Sequence, residues 1–215
     1  MLKTALTRPE WETAYLAAIL CLNTTARGCE LKGLQWSDID LFQRTVTIRK
    51  SKTAAGERMI PLTSVAASAL ARLRTRAESF GPVAPSHYVF AAFVPKFYFS
   101  GMNVVGYKVS GYDGTRHIKS WRTAWRSLTK KAVLPGFRFH DLRHCAITSL
   151  AESGAADSTI MAIAGHVSPK MLERYSHVRM EAKRAAMETL AKSSAMGAYD
   201  TNNDTSAMHV SARIV

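Results

Sequence analysis

Residues 139–178 read FHDLRHCAITSLAESGAADSTIMAIAGHVSPKMLERYSHV. The stretch divides itself into helices by its own punctuation. HDLRHCAITSLAESG is a helix that ends at Gly154, a residue suited to the left-handed turn that closes a helix. DSTIMAIAGH starts with Asp157, read as its cap, and is a second, short helix. SPKMLERYSHV has Pro169 in its first turn, where proline is tolerated, and is a third. The chemistry-bearing side chains are His140, Arg143 and His144 on the first piece, His166 directly after Gly165, and Tyr175 with His177 close behind. His140 and Arg143 stand three residues apart, which predicts a shared helix face. His140 and His144 have the i, i+4 spacing of zinc-binding helices, but no Glu follows His140 and Arg143 lies between them. An arginine is a poor neighbour for a dication, so the reading is against a metal site.

Upstream, Thr7, Pro9 and Glu10 mark a helix start, and TAYLAAILCL continues a largely apolar helix over 7–22. Thr25 to Gly28 interrupt it, and ELKGLQW reads as a short second helix. Arg27 stands at this break between the apolar flanks CLNTTA and CELKGL. Its guanidinium is therefore expected to be partly buried, with Glu30 or a substrate phosphate as partner. TVTIR and ERMIPL alternate about a small-residue turn at 54–56 and read as a β-hairpin. SVAASALARLRTRAESF is an amphipathic helix with Leu70 and Leu73 inward and Arg72, Arg74 and Arg76 facing water or phosphate. Residues 81–118 are rich in proline, glycine and aromatics; YVF suits a short strand, and FYFSGMNVVGYKVSG a hairpin or a long loop. KSWRTAWRSLTKKA is helical, and RMEAKRAAMETLAKSSA is a last amphipathic helix. The expected class is mainly α with a small antiparallel β-sheet (α+β): one domain over 1–192 and a flexible polar tail over 193–215.

Composition bounds the function. A hydrophobic content of 47% over 215 residues supports a core and excludes a disordered chain. The formal charge of +13 favours a polyanionic partner, because each phosphate neutralised by Lys or Arg releases counterions. No apolar run approaches the roughly 20 residues that span a bilayer. Glu10 and Glu12 break any signal-peptide pattern, so a cytoplasmic protein is expected. Cys21, Cys29 and Cys145 lack C-x-x-C spacing and read as reduced thiols. His87, His117 and His209 sit in no pattern and read as packing or surface residues. The 16 acidic residues are scattered, unlike the clustered carboxylates of a two-metal nuclease.

Taken in order, ARGCELKGLQWSDID, KSKTAAGERMIPL, FHDLRHCAITSLAESG and IAGHVSPKMLERYSHV resemble the tyrosine recombinase (phage integrase) family. Any one piece is modest; the ordered set of Arg, Lys, His-x-x-Arg, Gly-His and Tyr is specific. The resemblance implies the catalytic-domain fold of DNA breaking-rejoining enzymes, and an N-terminal DNA-clamping domain of the family that this chain lacks. It implies that Arg27 and Arg143 are the two catalytic arginines and Tyr175 the nucleophile. Lys52 corresponds to the hairpin lysine that acts as general acid, with Lys50 as its competitor. His140 is similar to the histidine assisting proton transfer at the nucleophile, and His166 to the one that binds the scissile phosphate. Glu30, Asp141 and His144 are implied as supports. The implied activity is site-specific recombination or integration through a 3′-phosphotyrosyl intermediate, with no metal, ATP or other cofactor. The implied partners are double-stranded DNA and further protomers, in a tetrameric synapse on DNA and as a monomer when free. The implied setting is a bacterial or phage-encoded protein of a mobile element, associated with the nucleoid. Type IB topoisomerases and telomere resolvases share this chemistry and remain alternatives, as does a non-catalytic DNA-binding relic.

The chemistry suits these residue types. Attack on a phosphodiester builds negative charge on nonbridging oxygens, and a positioned donor there is typically worth about 10²–10³ in rate. Tyrosine has an unperturbed pKa of about 10, so attack at neutral pH needs a base or a cationic field.

Overall fold

The computed structural model describes residues 1–49, 57–165, 167, 180, 183–184 and 187–192. After a short helix α1 (Leu2–Ala5), a 3-10 turn at Pro9–Trp11 leads into α2 (Glu12–Thr24). Helix α2 therefore begins later than the Thr7 start read from the sequence, because proline and the 3-10 turn take up the first residues. Leu16, Ala17, Ala18, Leu20 and Cys21 are all buried, on every side of α2. A helix apolar all round belongs at the centre of a domain. Here it packs against α4 (Ser64–Glu78) and α6 (Asp141–Glu152), its alanines permitting close approach.

Helix α3 (Gly28–Gly33) follows, shorter than ELKGLQW suggested, since Trp36–Asp38 form a separate 3-10 turn. The anticipated hairpin is present as β2 (Thr45–Ile48) and β3 (Arg58–Pro61), with Val46 opposite Ile60 and Ile48 opposite Arg58. A two-residue strand, β1 (Ile39–Asp40), adds to β2 and makes a three-stranded antiparallel sheet. On α4, Leu70 and Leu73 point inward as expected. Its arginines, read as facing water or phosphate, engage the protein instead. Arg72 and Arg76 pair with Glu12, and Arg74 pairs with Glu78 and lies over the Trp36 ring.

The aromatic segment forms a long antiparallel ribbon, β4 (Ala91–Ser100) with β5 (Asn103–His117). Tyr88 joins Gln35 by an isolated bridge rather than starting a strand. At its base the ribbon leans on the body: Tyr112 stacks on Phe80, and Phe93 lies under the Arg76 guanidinium. Helix α5 (Arg122–Lys131) buries Trp125 and Leu128. Helix α6 closes as expected at Gly154, which has φ 79°. Helix α7 (Asp157–Ala164) is capped from Ala156, so Asp157 is its first helical residue and not its cap. Ile147 and Ala151 of α6 meet Ile160 and Ala164 of α7 in a small second core. The helix read at SPKMLERYSHV, the 54–56 turn and the 193–215 tail lie outside the described residues. The three cysteines are free thiols, Cys21 buried and the others exposed. No helix among the described residues is long and apolar enough to cross a membrane.

Candidate functional site

Two helix ends meet and bring the charged groups together. The first is the end of α2. Thr25 takes φ 57°, the chain turns, and Arg27 becomes the residue that precedes α3. Glu30 in the first turn of α3 reaches back to it. Its Oε2 accepts the Arg27 backbone N–H at 2.8 Å, and its Oε1 accepts Arg27 Nη1 at 2.8 Å. The expected partly buried Arg27–Glu30 pair is therefore present, with side chains 29% and 2% exposed.

Sequence reasoning passed over a third member, Arg58. Its Nη2 lies 2.9 Å from Glu30 Oε2 and its Nη1 3.3 Å from Oε1, and its side chain is 6% exposed. A signal existed. Side chains alternate along a strand, so Arg58 shares a face of β3 with the buried Ile60. A charge on that face needs a partner. Burial by itself would raise the Glu30 carboxyl, but hydrogen bonds from Arg58 and Arg27 outweigh it and hold the group below the ordinary carboxylate range.

The second helix end is that of α7, where Gly165 takes φ 71° and the last carbonyls lose their intrahelical partners. Arg58 Nε donates to the Ile163 carbonyl at 2.8 Å, and Thr25 Oγ1 donates to the same oxygen at 3.3 Å. Arg143 Nη2 donates to the Ala164 carbonyl at 2.8 Å, and its Nη1 donates to the Thr25 carbonyl. Cations also suit the negative end of a helix dipole. Arg143 is thus buried, and ties the end of α2 to the end of α7. Desolvation, then the nearby Arg27, push its guanidinium down to about 10, so it stays a cation at neutral pH.

His140 and Arg143 lie near enough to interact electrostatically, at the first turn of α6. His140 precedes α6 and is exposed, while Arg143 points into the core. The His140 ring meets His144 edge-on at 5.1 Å between centroids. Partial burial, then His144 and Arg143, lower the His140 pKa below 6.5, leaving a neutral imidazole near pH 7. Asp141 turns away from this cluster. It accepts the Arg138 backbone N–H at 2.8 Å and Arg138 Nη2 at 3.0 Å, bonds that lower its own pKa and fix the entry into α6.

Lys52, its competitor Lys50, His166 and Tyr175 lie outside the described residues. Their flanks are placed: Ile48 and Arg58 are register partners on either side of 50–56, and Gly165 ends α7 immediately before His166. Among the described residues, no three His, Cys, Asp or Glu groups converge as a metal site. A hollow of about 820 Å³ lies elsewhere, lined by Trp121, Trp125, Phe137 and Phe139. What distinguishes the cluster is charge. Among the described residues, Arg27, Arg58 and Arg143 stand about the carboxylate of Glu30. Such a field favours an incoming anion.

Residues 1–182 match the phage integrase family. The chain belongs to that family. Among curated members, it is 31% identical over 166 residues to the shufflon-specific DNA recombinase of Escherichia coli, covering 77% of this chain and 35% of that protein. The integrase of Salmonella phage P22 is 38% identical over 72 residues, 31% of this chain and 19% of the relative. The integrase of Mycobacterium phage L5 is 43% identical over 92 residues, 40% of this chain and 24% of the relative. The chain therefore spans about a third or less of the length of these integrase-family relatives. Among solved structures, the Tn1549 transposon integrase in complex with circular intermediate DNA superposes with TM-score 0.65 at 21% identity, over 88% of this chain and 63% of that one. XerA recombinase gives 0.59 at 22% identity, over 87% of this chain and 60% of that one. The fold is that of tyrosine recombinases, as the sequence motifs implied.

Proposed function

We propose that this domain cuts and rejoins double-stranded DNA by forming a covalent bond between Tyr175 and a 3′ phosphate. The observation that carries the reading is the convergence of Arg27 and Arg143 at the joined ends of α2 and α7, with neutral His140 at the adjoining start of α6. Family membership and the DNA-bound state of the Tn1549 integrase support it.

Each group has a part. Arg27 and Arg143 bind nonbridging oxygens and stabilise the charge that grows as phosphorus becomes pentacovalent. His140, neutral near pH 7, takes the proton from the Tyr175 hydroxyl as it attacks. Lys52 protonates the departing 5′ oxygen, and His166 donates to the phosphate. Glu30 holds Arg27, His144 packs edge-on against His140, and Asp141 fixes the entry into α6 through Arg138. The phosphotyrosine keeps the energy of the broken bond, so religation by the returning 5′ hydroxyl needs no ATP. Met180, Met187 and Leu190 are exposed apolar side chains that suit contact with a neighbouring protomer brought close on DNA. Specific recombination or integration by several protomers follows from this reading. Incubating the protein with a duplex nicked near its cleavage site traps the adduct. Tyr175→Phe should bind DNA with parental affinity and form none; a covalent adduct in that variant would remove Tyr175 as nucleophile.

A further inference from the structure

Arg58 touches three segments at once. It sits at the first residue of β3, directly after the 50–56 segment that holds Lys52. Its two terminal nitrogens grip the Glu30 carboxylate, which in turn grips the Arg27 side chain and backbone. Its Nε holds the Ile163 carbonyl at the end of α7. Two residues further on, Gly165 packs against the same guanidinium, so closely that a Cβ there would lie 3.1 Å from Arg58 Nη1. The end of α7 therefore rests directly on Arg58.

The geometry points to Arg58 as a positioning residue of strand cleavage, which sets Arg27 and the end of α7 at Gly165 at a fixed separation. This rests on the cleavage reading above. A planar guanidinium suits the task, because its fork binds a carboxylate in two places while the Nε edge remains for a carbonyl. An ammonium has neither the reach nor the plane to hold both. No other side chain among the described residues bonds both the Glu30 carboxylate and an α7 carbonyl. Reacting groups misplaced by about 1 Å can lose on the order of 100-fold in rate, so the loss of such a spacer should register in catalysis more than in DNA binding.

The test is single-turnover adduct formation on a nicked duplex, recording the rate at saturating DNA and the DNA concentration giving half that rate. Arg58→Met should lower the saturating rate on the order of 100-fold. The half-saturating concentration should move by less than about threefold, since uniform binding is untouched. Arg58→Lys should recover part of the rate, reaching Glu30 or the Ile163 carbonyl but not both. Because Arg58 acts through Arg27, Arg58→Met should do far less harm in an Arg27→Lys background than in the parent. Equal harm in both backgrounds marks a role in stability alone and overturns the proposal, as does a parental saturating rate for Arg58→Met. Should Arg58→Met fail to fold, Arg58→Lys keeps the buried charge and decides alone: a reduced saturating rate with unchanged half-saturation is expected, and a parental rate overturns it. If Arg27→Lys and Tyr175→Phe also cleave like the parent, the cleavage reading itself fails. If they are impaired and Arg58→Met is not, only the positioning role falls.

Discussion

Replacing Glu30 by glutamine tests the electrostatics of the cluster in the DNA-free protein. The carboxylate is buried and accepts from Arg58 Nη1 and Nη2, from Arg27 Nη1 and from the Arg27 backbone. Glutamine keeps one acceptor oxygen, turns an amide donor toward a guanidinium, and removes the negative charge that Arg27 and Arg58 engage. Breaking a buried ion pair by removing one partner destabilises by about 3–5 kcal/mol. The amide retains some hydrogen bonding, so the lower end, about 3 kcal/mol, is expected. In a domain of this size, each kcal/mol moves Tm by roughly 2–4 °C, giving a fall of about 6–12 °C at pH 7 by circular dichroism. The pH dependence has a definite sign. The folded pKa of Glu30 lies below its ordinary value, so its contribution is complete above the unfolded pKa and disappears as pH falls through the folded one. The gap in Tm between parent and Glu30→Gln should persist at pH 5 and narrow below about pH 4. A variant as stable as the parent at pH 7, or a gap that does not change with acid, would refute the claim that Glu30 is the counter-charge of this cluster.

Two further predictions concern the proton transfers. Lys52→Ala should slow cleavage of a normal 5′-oxygen substrate much more than a 5′-thio one, because a thiolate leaves without a proton. Equal slowing would withdraw the general-acid role from Lys52 and bring Lys50 forward for the same comparison. The His140 pKa is lowered by partial burial, then by His144 and Arg143, so the acidic limb of kcat/KM should fall below pH 6.5 and move upward in His144→Asn. An acidic limb above 6.5 in the parent would count against His140 as the base.

The local elements were legible because their causes are local. The all-round apolar TAYLAAILCL demanded a central helix, the alternation in TVTIR and ERMIPL a hairpin, and Gly154 a helix end. The ordered motifs marked Arg27, Glu30, His140 and Arg143 as a set. Where local rules were extended past an element's edge, they failed. Asp157, read as the cap of its helix, instead follows the cap of α7. The arginines of α4 looked free for phosphate until folding brought Glu12 and Trp36 beside them.

By itself, then, the sequence determined the helical plan, the basic character and the family to which the chain belongs, since periodicity, net charge and motif order are properties of the chain. Only the tertiary structure decided how the site is held. Arg58 meets Glu30 across 28 residues and Ile163 across 105, and Arg143 meets Thr25 across 118. No window of sequence contains such pairs. They arise because a buried guanidinium and an orphaned helix-end carbonyl each carry a large desolvation penalty, and packing α7 against β3 and α6 lets one relieve the other.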